Sequence, residues 1–311
     1  MDRHYAIVTP CFNEGDVSIR FLHELESVLA ECAGRFTIVV VDDASSDNTL
    51  DLVRAYAPKA GNVSLRPIAL AYNMGHQEAI YQGLQFASTT DAEHFIVIDG
   101  DGEDDPTAIR ELCHLHETPI VFIARGRRSE SLGFRVGYWI YKRIFRTISG
   151  RSINFGNYSM IDRKVLSAVL DKSFVHYAAF LSRMRVSNKC ITRDRRSRID
   201  GRSKMSYRSL SVHAFRALIE YSEELVSIFL RAFVYMAAFF LVMFLGIIGL
   251  KVLTPYAIPG WASLLSVSLF NSMIICLGFF AIGLLLVNTA QRRERAGRHL
   301  YTVITAEQWQ P

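Results

Sequence analysis

The sequence predicts an α/β protein: a mostly parallel sheet covered by helices on both faces, followed by a pair of long apolar helices. Three observations carry this. Short, continuously apolar runs of strand length alternate with helical stretches from Tyr5 to Ala124. Polar, acid-rich clusters recur directly after the strand-like runs. From Ala232 to Gln291 a single charged residue, Lys251, occurs in 60 positions. Outside that stretch, 64 of 251 residues are charged, about a quarter, as in ordinary soluble domains. This partition argues against a wholly soluble protein and excludes a transporter filling the whole chain and a disordered polyelectrolyte.

Taken in order, Tyr5–Thr9 (YAIVT) reads as the first strand and Val17–Glu31 as the helix after it. Thr37–Val41 (TIVVV) is followed by helical Asp47–Tyr56, and Val63–Ala69 by Gln77–Phe86. Phe95–Ile98 (FIVI) precedes Pro106–His114, and Ile120–Ala124 (IVFIA) comes next. Strands apolar on both sides belong to a sheet buried on both faces. In such sheets ligands bind beyond the carboxyl ends of the strands. Asn13-Glu14, Asp42-Asp43 and Asp99-Gly100-Asp101 all follow strands, so they form one candidate site. No GxGxxG follows the first strand and no GxxxxGK[ST] occurs, which disfavours dinucleotide binding and P-loop chemistry. HExxH and GxSxG are absent too.

The segment IDGDGEDDP, Ile98 to Pro106, is the densest concentration of chemistry. If it stays extended, residues two apart point the same way, and Asp99, Asp101 and Glu103 converge on one hard cation. Mg²⁺ or Mn²⁺ suits one or two carboxylates, with water and substrate phosphates completing the shell. Such an ion neutralises charge developing on a diphosphate leaving group. The competing reading is a solvated acidic loop; Asp104 and Asp105 are expected to cap the helix starting near Pro106.

Charge is partitioned as sharply as hydropathy. Residues 1–182 carry 18 basic and 23 acidic side chains, whereas Arg183 to Arg208 carry 10 basic and 2 acidic. A basic collar thus separates a mildly acidic head from the apolar tail. The first residues lack the apolar run and cleavage site of a signal peptide. The five cysteines, Cys11, Cys32, Cys113, Cys190 and Cys276, are scattered without a CxxC pair. That fits reduced thiols in a cytoplasmic head better than a disulfide framework or zinc site.

The expected organisation is a catalytic head over residues 1–204, an amphipathic juxtamembrane helix over 205–228, two spans within 229–290 (about 229–251 and 261–289), and a tail over 291–311. A bilayer core needs about 20 helical residues. KVLTPYAIPG supplies a turn, with Tyr256 and Trp261 suited to the interface. Basic residues flank both outer ends of the pair, so the positive-inside rule places both termini in the cytoplasm at the inner or plasma membrane. The alternative is a buried helical hairpin of a soluble protein. Tyr207–Glu224 has amphipathic spacing that fits a helix in the membrane plane or one packed on the head.

Seven segments in this order resemble family-2 glycosyltransferases of the GT-A fold: TPCFNE (9–14), VDDASSDNT (41–49), YNMGHQEAI (72–80), DGDGEDDP (99–106), ARGRRSES (124–131), FGNYSMIDRKV (155–165) and GRSKM (201–205). Within that family the likeness is to polyprenyl-phosphate glycosyltransferases, the group that includes dolichyl-phosphate mannose synthase and membrane-anchored bacterial relatives. The resemblance implies an inverting transfer of sugar from a UDP- or GDP-linked donor to undecaprenyl or dolichyl phosphate. It assigns Pro10, Phe12, Glu14, Asp42 and Asp43 to the nucleoside, and Asp99 and Asp101 to the DxD motif. Glu103 stands where relatives often have Gln. Arg125 and Arg128 match basic residues near the leaving diphosphate and acceptor phosphate, and Arg202, Ser203 and Lys204 match a phosphate-binding loop.

One departure bears on mechanism. Relatives often carry an acidic residue where this chain has Asn154 and Asn157 in or beside FGNYSM. A phosphate monoester has a second pKa of about 6 and is largely dianionic near neutrality. It needs little general-base help, whereas a sugar hydroxyl needs much more. The missing carboxylate favours a phosphate acceptor and leaves Asn157 a sugar-contact candidate. The processive synthases' QxxRW is absent. The collar lacks a nucleic-acid-binding motif, so no nucleic-acid partner is expected. Homo-oligomers through the apolar helices are expected from the resemblance. A non-catalytic, membrane-anchored nucleotide-sugar-binding or scaffold subunit, and a family-2 transferase using another acceptor, are the alternatives.

Overall fold

A computed structural model describes residues 3–125, 143, 146–147, 155–172, 174–194, 196, 220–253, 260–291 and 300–304. The chain divides into two compact units. One comprises Met1–Lys142, Ser152–Glu220 and Arg295–Pro311, the other Arg143–Arg151 and Tyr221–Glu294.

In the first unit the strands are β1 (His4–Cys11), β2 (Arg35–Asp42), β3 (Val63–Leu70), β4 (His94–Val97), β5 (Ile120–Arg125), β6 (Phe155–Asp162), β7 (Asn188–Arg193) and β8 (Tyr301–Val303). They form an eight-stranded sheet in the order β7-β5-β6-β4-β1-β2-β3-β8. β4, β1, β2 and β3 run parallel, and β7 is parallel to β5. β6 is antiparallel to both β4 and β5, and β8 is antiparallel to β3. The sheet is therefore mixed but mostly parallel.

Helices α1 (Asp16–Ala30), α2 (Thr49–Ala55), α3 (His76–Ser88), α4 (Ala108–His114), α5 (Arg163–Lys172) and α6 (Tyr177–Arg183) belong to this unit. Alternation along the strands splits the core in two. Ala6, Val8, Val39 and Val41 point to one face, under Ala79, Ile80 and Leu84 of α3 and Val165, Leu166 and Val169 of α5. Tyr5, Ile7, Ile38 and Val40 point to the other, under Phe21, Leu22 and Leu25 of α1 and Ile109 and Leu112 of α4. Both faces are dry, which is why these strands read as continuous apolar runs.

Gly83 marks the closest approach of helix to sheet. A methyl there would lie 2.4 Å from Val8 Cγ1 and 2.7 Å from Val41 Cγ2, so only glycine lets α3 seat on the middle strands. The 291–311 stretch is more than a tail, because β8 completes the sheet edge. Tyr301 meets Phe86 edge-on at 5.7 Å.

The second unit contains α7 (Ser222–Leu253) and α8 (Trp261–Gln291). Phe233 and Phe280 stack between them at 6.2 Å, and Cys276 Sγ lies 3.8 Å from Met236 Sδ. Val226–Leu253 and Ser263–Gly283 have mean hydropathies of 2.5 and 2.1, long and apolar enough to cross a membrane by length and composition. Of the amphipathic helix expected over 205–228, residues 205–219 lie outside the described residues.

Candidate active site

The carboxyl ends of β4, β1 and β2 lie side by side, and the loops leaving β1 and β2 are interlocked. Asn13 has φ 52° and Ala44 φ 56°, a left-handed backbone that costs a non-glycine residue about 1–2 kcal/mol. The contacts that hold it are specific. Asn13 N–H donates to Ser45 Oγ at 2.9 Å and its Oδ1 accepts from Ser46 N–H at 2.8 Å. Thr49 Oγ1 accepts from the N–H groups of Glu14 and Gly15 at 3.0 and 2.7 Å. The β1–α1 and β2–α2 loops are thus one piece.

Asp42 and Asp43 are both buried, 1% and 3% exposed, at the closed end of this piece. Asp42 Oδ2 accepts from Ser45 N–H at 3.0 Å, while its buried Oδ1 has no hydrogen-bond partner among the described residues. A buried acceptor left open is costly and suits an incoming N–H or O–H donor. Asp43 accepts from the N–H groups of Met74 and Gly75 at 2.7 and 2.9 Å, fixing the turn from β3 into α3. Burial raises the Asp43 carboxyl above its ordinary value, against the pull of those two amides. Pro10 is buried inside β1, Glu14 is half-buried, and Phe12 is 41% exposed beside the cluster. Burial first, then the carboxylates of Asp42, Glu14, Asp47 and Asp43, push the Cys11 thiol well up.

Asp99 follows β4 on the same rim. Its Oδ1 lies 3.2 Å from His76 Nε2 at the start of α3. Burial pulls His76 down, but Asp99, Asp101 and Asp43 outweigh it and hold the imidazole above its usual value. Asn157 on β6 reaches the same nitrogen, Nδ2 to Nε2 at 2.9 Å, and its Oδ1 accepts from Gln77 Nε2 at 3.3 Å.

Glu103 departs from expectation. Asp101 Oδ1 accepts the Glu103 N–H at 3.0 Å, and Gly102 turns the chain with φ 75°. The strand has ended at Val97, so alternation no longer applies. Glu103 is buried beside a small cavity lined by Asp104, Asp105, Ile123, Tyr158 and Arg193. Among the described residues no three His, Cys, Asp or Glu side chains are grouped to hold a metal. Asp105 Oδ1 accepts from Thr107 N–H at 3.0 Å, a turn just before α4, but the helix N-cap is Thr107 and makes no side-chain cap bond, so the expected capping by Asp104 and Asp105 is not found.

Part of the collar is folded onto the head. Arg193 pairs with Glu111, and Arg196 with Glu24 and, at 2.6 Å, Asp105. Arg125 ends β5 opposite Arg193. Arg128, Arg202, Ser203 and Lys204 lie outside the described residues. His76 and Gln77 join the site without having been singled out by the sequence. Their signal was present in YNMGHQEAI, where polar residues follow a glycine at a helix start.

Residues 6–175 match the family model described as glycosyl transferase family 2. The chain belongs to glycosyl transferase family 2. The glycosyltransferase YkcC of Bacillus subtilis is 25% identical over 295 residues, covering 91% of this chain and 89% of that one. An undecaprenyl-phosphate 4-deoxy-4-formamido-L-arabinose transferase of Serratia proteamaculans is 25% identical over 172 residues, 53% of this chain and 51% of that one. Glucosyl-3-phosphoglycerate synthase of Mycobacterium tuberculosis, solved with Mn²⁺, UDP and glucosyl-3-phosphoglycerate, superposes with TM-score 0.51 at 16% identity, covering 71% of this chain and 80% of that one. The fold is GT-A, and the protein is a glycosyltransferase. In this family 2 enzyme the acid-rich rim of β4, β1 and β2 is the candidate catalytic centre.

Proposed function

We propose that this glycosyltransferase moves a sugar from a nucleotide sugar to a polyprenyl phosphate at the cytoplasmic face of a membrane. The observation that carries the reading is the pairing, in one chain, of a family 2 head with two helices long and apolar enough to span a bilayer. The undecaprenyl-phosphate transferase similarity and the 183–208 basic run add support, since juxtamembrane Lys and Arg each gain about 1 kcal/mol near anionic lipid.

Asp42, Asp43, Glu14 and Phe12 hold the nucleoside, with the open Asp42 Oδ1 taking a donor from base or ribose. Asp99 and Asp101 offer two carboxylates, a donor set that fits Mg²⁺ or Mn²⁺ sharing its shell with substrate phosphate rather than an all-protein cage. Such an ion supplies charge neutralisation at the departing diphosphate; Glu103 is left out of the set. Arg125 and Arg128 take the diphosphate and acceptor phosphate, and Arg202, Ser203 and Lys204 clasp the acceptor. Asn157 lies beside His76 and contacts the sugar without acting as a base. The phosphate acceptor brings its own nucleophilic oxygen, so positioning and electrostatics carry the rate.

Purified full-length protein with Mn²⁺ or Mg²⁺, UDP- and GDP-sugars, and undecaprenyl or dolichyl phosphate is expected to yield glycosylated lipid. A donor screen read by mass spectrometry identifies the sugar. Transfer to a soluble acceptor with none to lipid would overturn the acceptor. Nucleotide binding without turnover would indicate a scaffold subunit.

A further inference from the structure

Gln77 is 5% exposed, and both ends of its amide are engaged. Its Oε1 accepts from the backbone N–H of Tyr177, the first residue of α6, at 2.6 Å, and its Nε2 donates to Asn157 Oδ1 at 3.3 Å. Asn157, itself buried, continues to His76, whose ring lies against Asp99. At the other end, the N–H groups of Val175 and His176 both donate to Glu220 Oε1, the latter at 2.8 Å, and Arg183 donates to the Glu220 carbonyl. Glu220 is buried and stands two residues before α7. The segment 175–177 is therefore held from both sides: by the residue that leads into the first apolar helix, and by the amide that orients the site.

Filling Tyr177 N–H and Asn157 Oδ1 together requires an acceptor and a donor on one planar group, which a carboxamide provides and a carboxylate or aliphatic chain does not. With the Tyr177 N–H fixing the Gln77 oxygen, the Gln77 nitrogen fixes the Asn157 oxygen, and the Asn157 nitrogen is left facing His76 Nε2, to which it donates only while that nitrogen is unprotonated and so not donating to Asp99 Oδ1. The direction of every amide in the chain follows from one backbone N–H.

We propose that Gln77 is a positioning residue that fixes Asn157 beside His76 on the Asp99 rim and couples the occupancy of the donor site to the 175–177 segment held by Glu220. The inference rests on the donor-site reading above but not on the lipid acceptor. Gln77→Glu is the discriminating variant, because it keeps an acceptor for Tyr177 N–H and removes the donor to Asn157.

Two measurements on the full-length protein test it. In the first, amide hydrogen exchange is followed with and without UDP plus Mn²⁺, and in parallel with GDP plus Mn²⁺. In the wild type, nucleotide is expected to slow exchange at residues 42–43 and at 175–177; in Gln77→Glu the slowing persists at 42–43 and is lost at 175–177. In the second, nucleoside diphosphate release is followed under turnover. Gln77→Glu is expected to lower kcat at least tenfold with donor KM changed less than threefold, and Asn157→Ala in the Gln77→Glu background to add little further loss. Equal protection at 175–177 in both proteins, wild-type protection confined to 42–43, or a Gln77→Glu kcat within twofold of wild type would overturn the coupling. Absence of nucleotide protection at 42–43 in the wild type would refute the donor site, and the inference with it.

Discussion

Gly83→Ala tests whether the fold and the site are mechanically one object. The added methyl would sit 2.4 Å from Val8 Cγ1 and 2.7 Å from Val41 Cγ2, against a carbon–carbon optimum of about 3.5–4.0 Å. Helix and sheet must separate by about 1 Å, because both valines are fully buried and β-branched. Overpacking of this kind costs about 1–3 kcal/mol, and alanine returns up to about 1 kcal/mol of helix propensity. The net expectation is a loss of about 1–2 kcal/mol, or about 3–8 °C in Tm. His76 lies seven residues toward the start of the same helix, about 10 Å away along its axis. Lifting α3 pulls His76 off Asn157 and Asp99, which lie 2.9 and 3.2 Å from its Nε2. A misplacement of about 1 Å can cost about a hundredfold in rate. The assays are thermal denaturation and nucleoside diphosphate release, each run in a cycle with Val8→Ala. Removing Val8 Cγ1 makes room for one of the two contacts, so the double variant should be more stable than the summed single losses imply. A Gly83→Ala protein at or above wild-type stability, or a strictly additive cycle, would refute the reasoning.

Other expectations concern metal, sheet edge and pH. Asp101→Ala is expected to abolish turnover with an unchanged melting profile, and EDTA to do the same reversibly; full activity in either test removes the metal assignment. Truncation after Arg298 retains both apolar helices but deletes β8, which bonds to Ile68–Leu70. Hydrogen exchange at residues 67–71 should accelerate and Tm should fall; unchanged exchange there would show that the strand is dispensable. His94, buried and stacked on Tyr5 at 5.3 Å, has its pKa lowered by burial first. Its contribution is complete above the ordinary histidine value of about 6.5 and is lost as pH falls through the depressed one. Tm should therefore drop on acidification below about pH 6.5, and His94→Phe should flatten that slope.

What was legible in the sequence follows from how each element is buried. β1, β2 and β4 announced themselves because both faces are covered, and the acid clusters after them fell on one rim because the three strands are parallel neighbours. β6 was recognised only as a likeness, since FGNYSMID alternates polar and apolar residues and says nothing of its insertion between β4 and β5. β8 is three residues long, too short for any period. Glu103 lies beyond the end of β4 at Val97, where strand alternation no longer orders side chains. Arg193 and Arg196 entered the sequence reading only as part of the basic collar because their partners, Glu111 and Glu24, are 82 and 172 residues away. The His76–Gln77 pair carried a signal in YNMGHQEAI, but its role was not legible, because its partners lie after β4, on β6 and on α6.

β8 also constrains the proposed membrane arrangement. The chain leaves the head at Glu220 and supplies a strand of that same head again at Tyr301, after both apolar helices. A strand hydrogen-bonded to β3 cannot be separated from the head by a bilayer. If α7 and α8 span, the pair must cross and return, placing the residues after α8 on the head's side. Charge patterning leads independently to the same arrangement, since basic residues lie before α7 and after α8. A cysteine placed in the 254–259 connector of otherwise cysteine-free protein is then expected to react with a membrane-impermeant maleimide from the face opposite the head. Reaction from the head's own face would mean that the helices lie on the bilayer, and would leave β8 as a fold element alone.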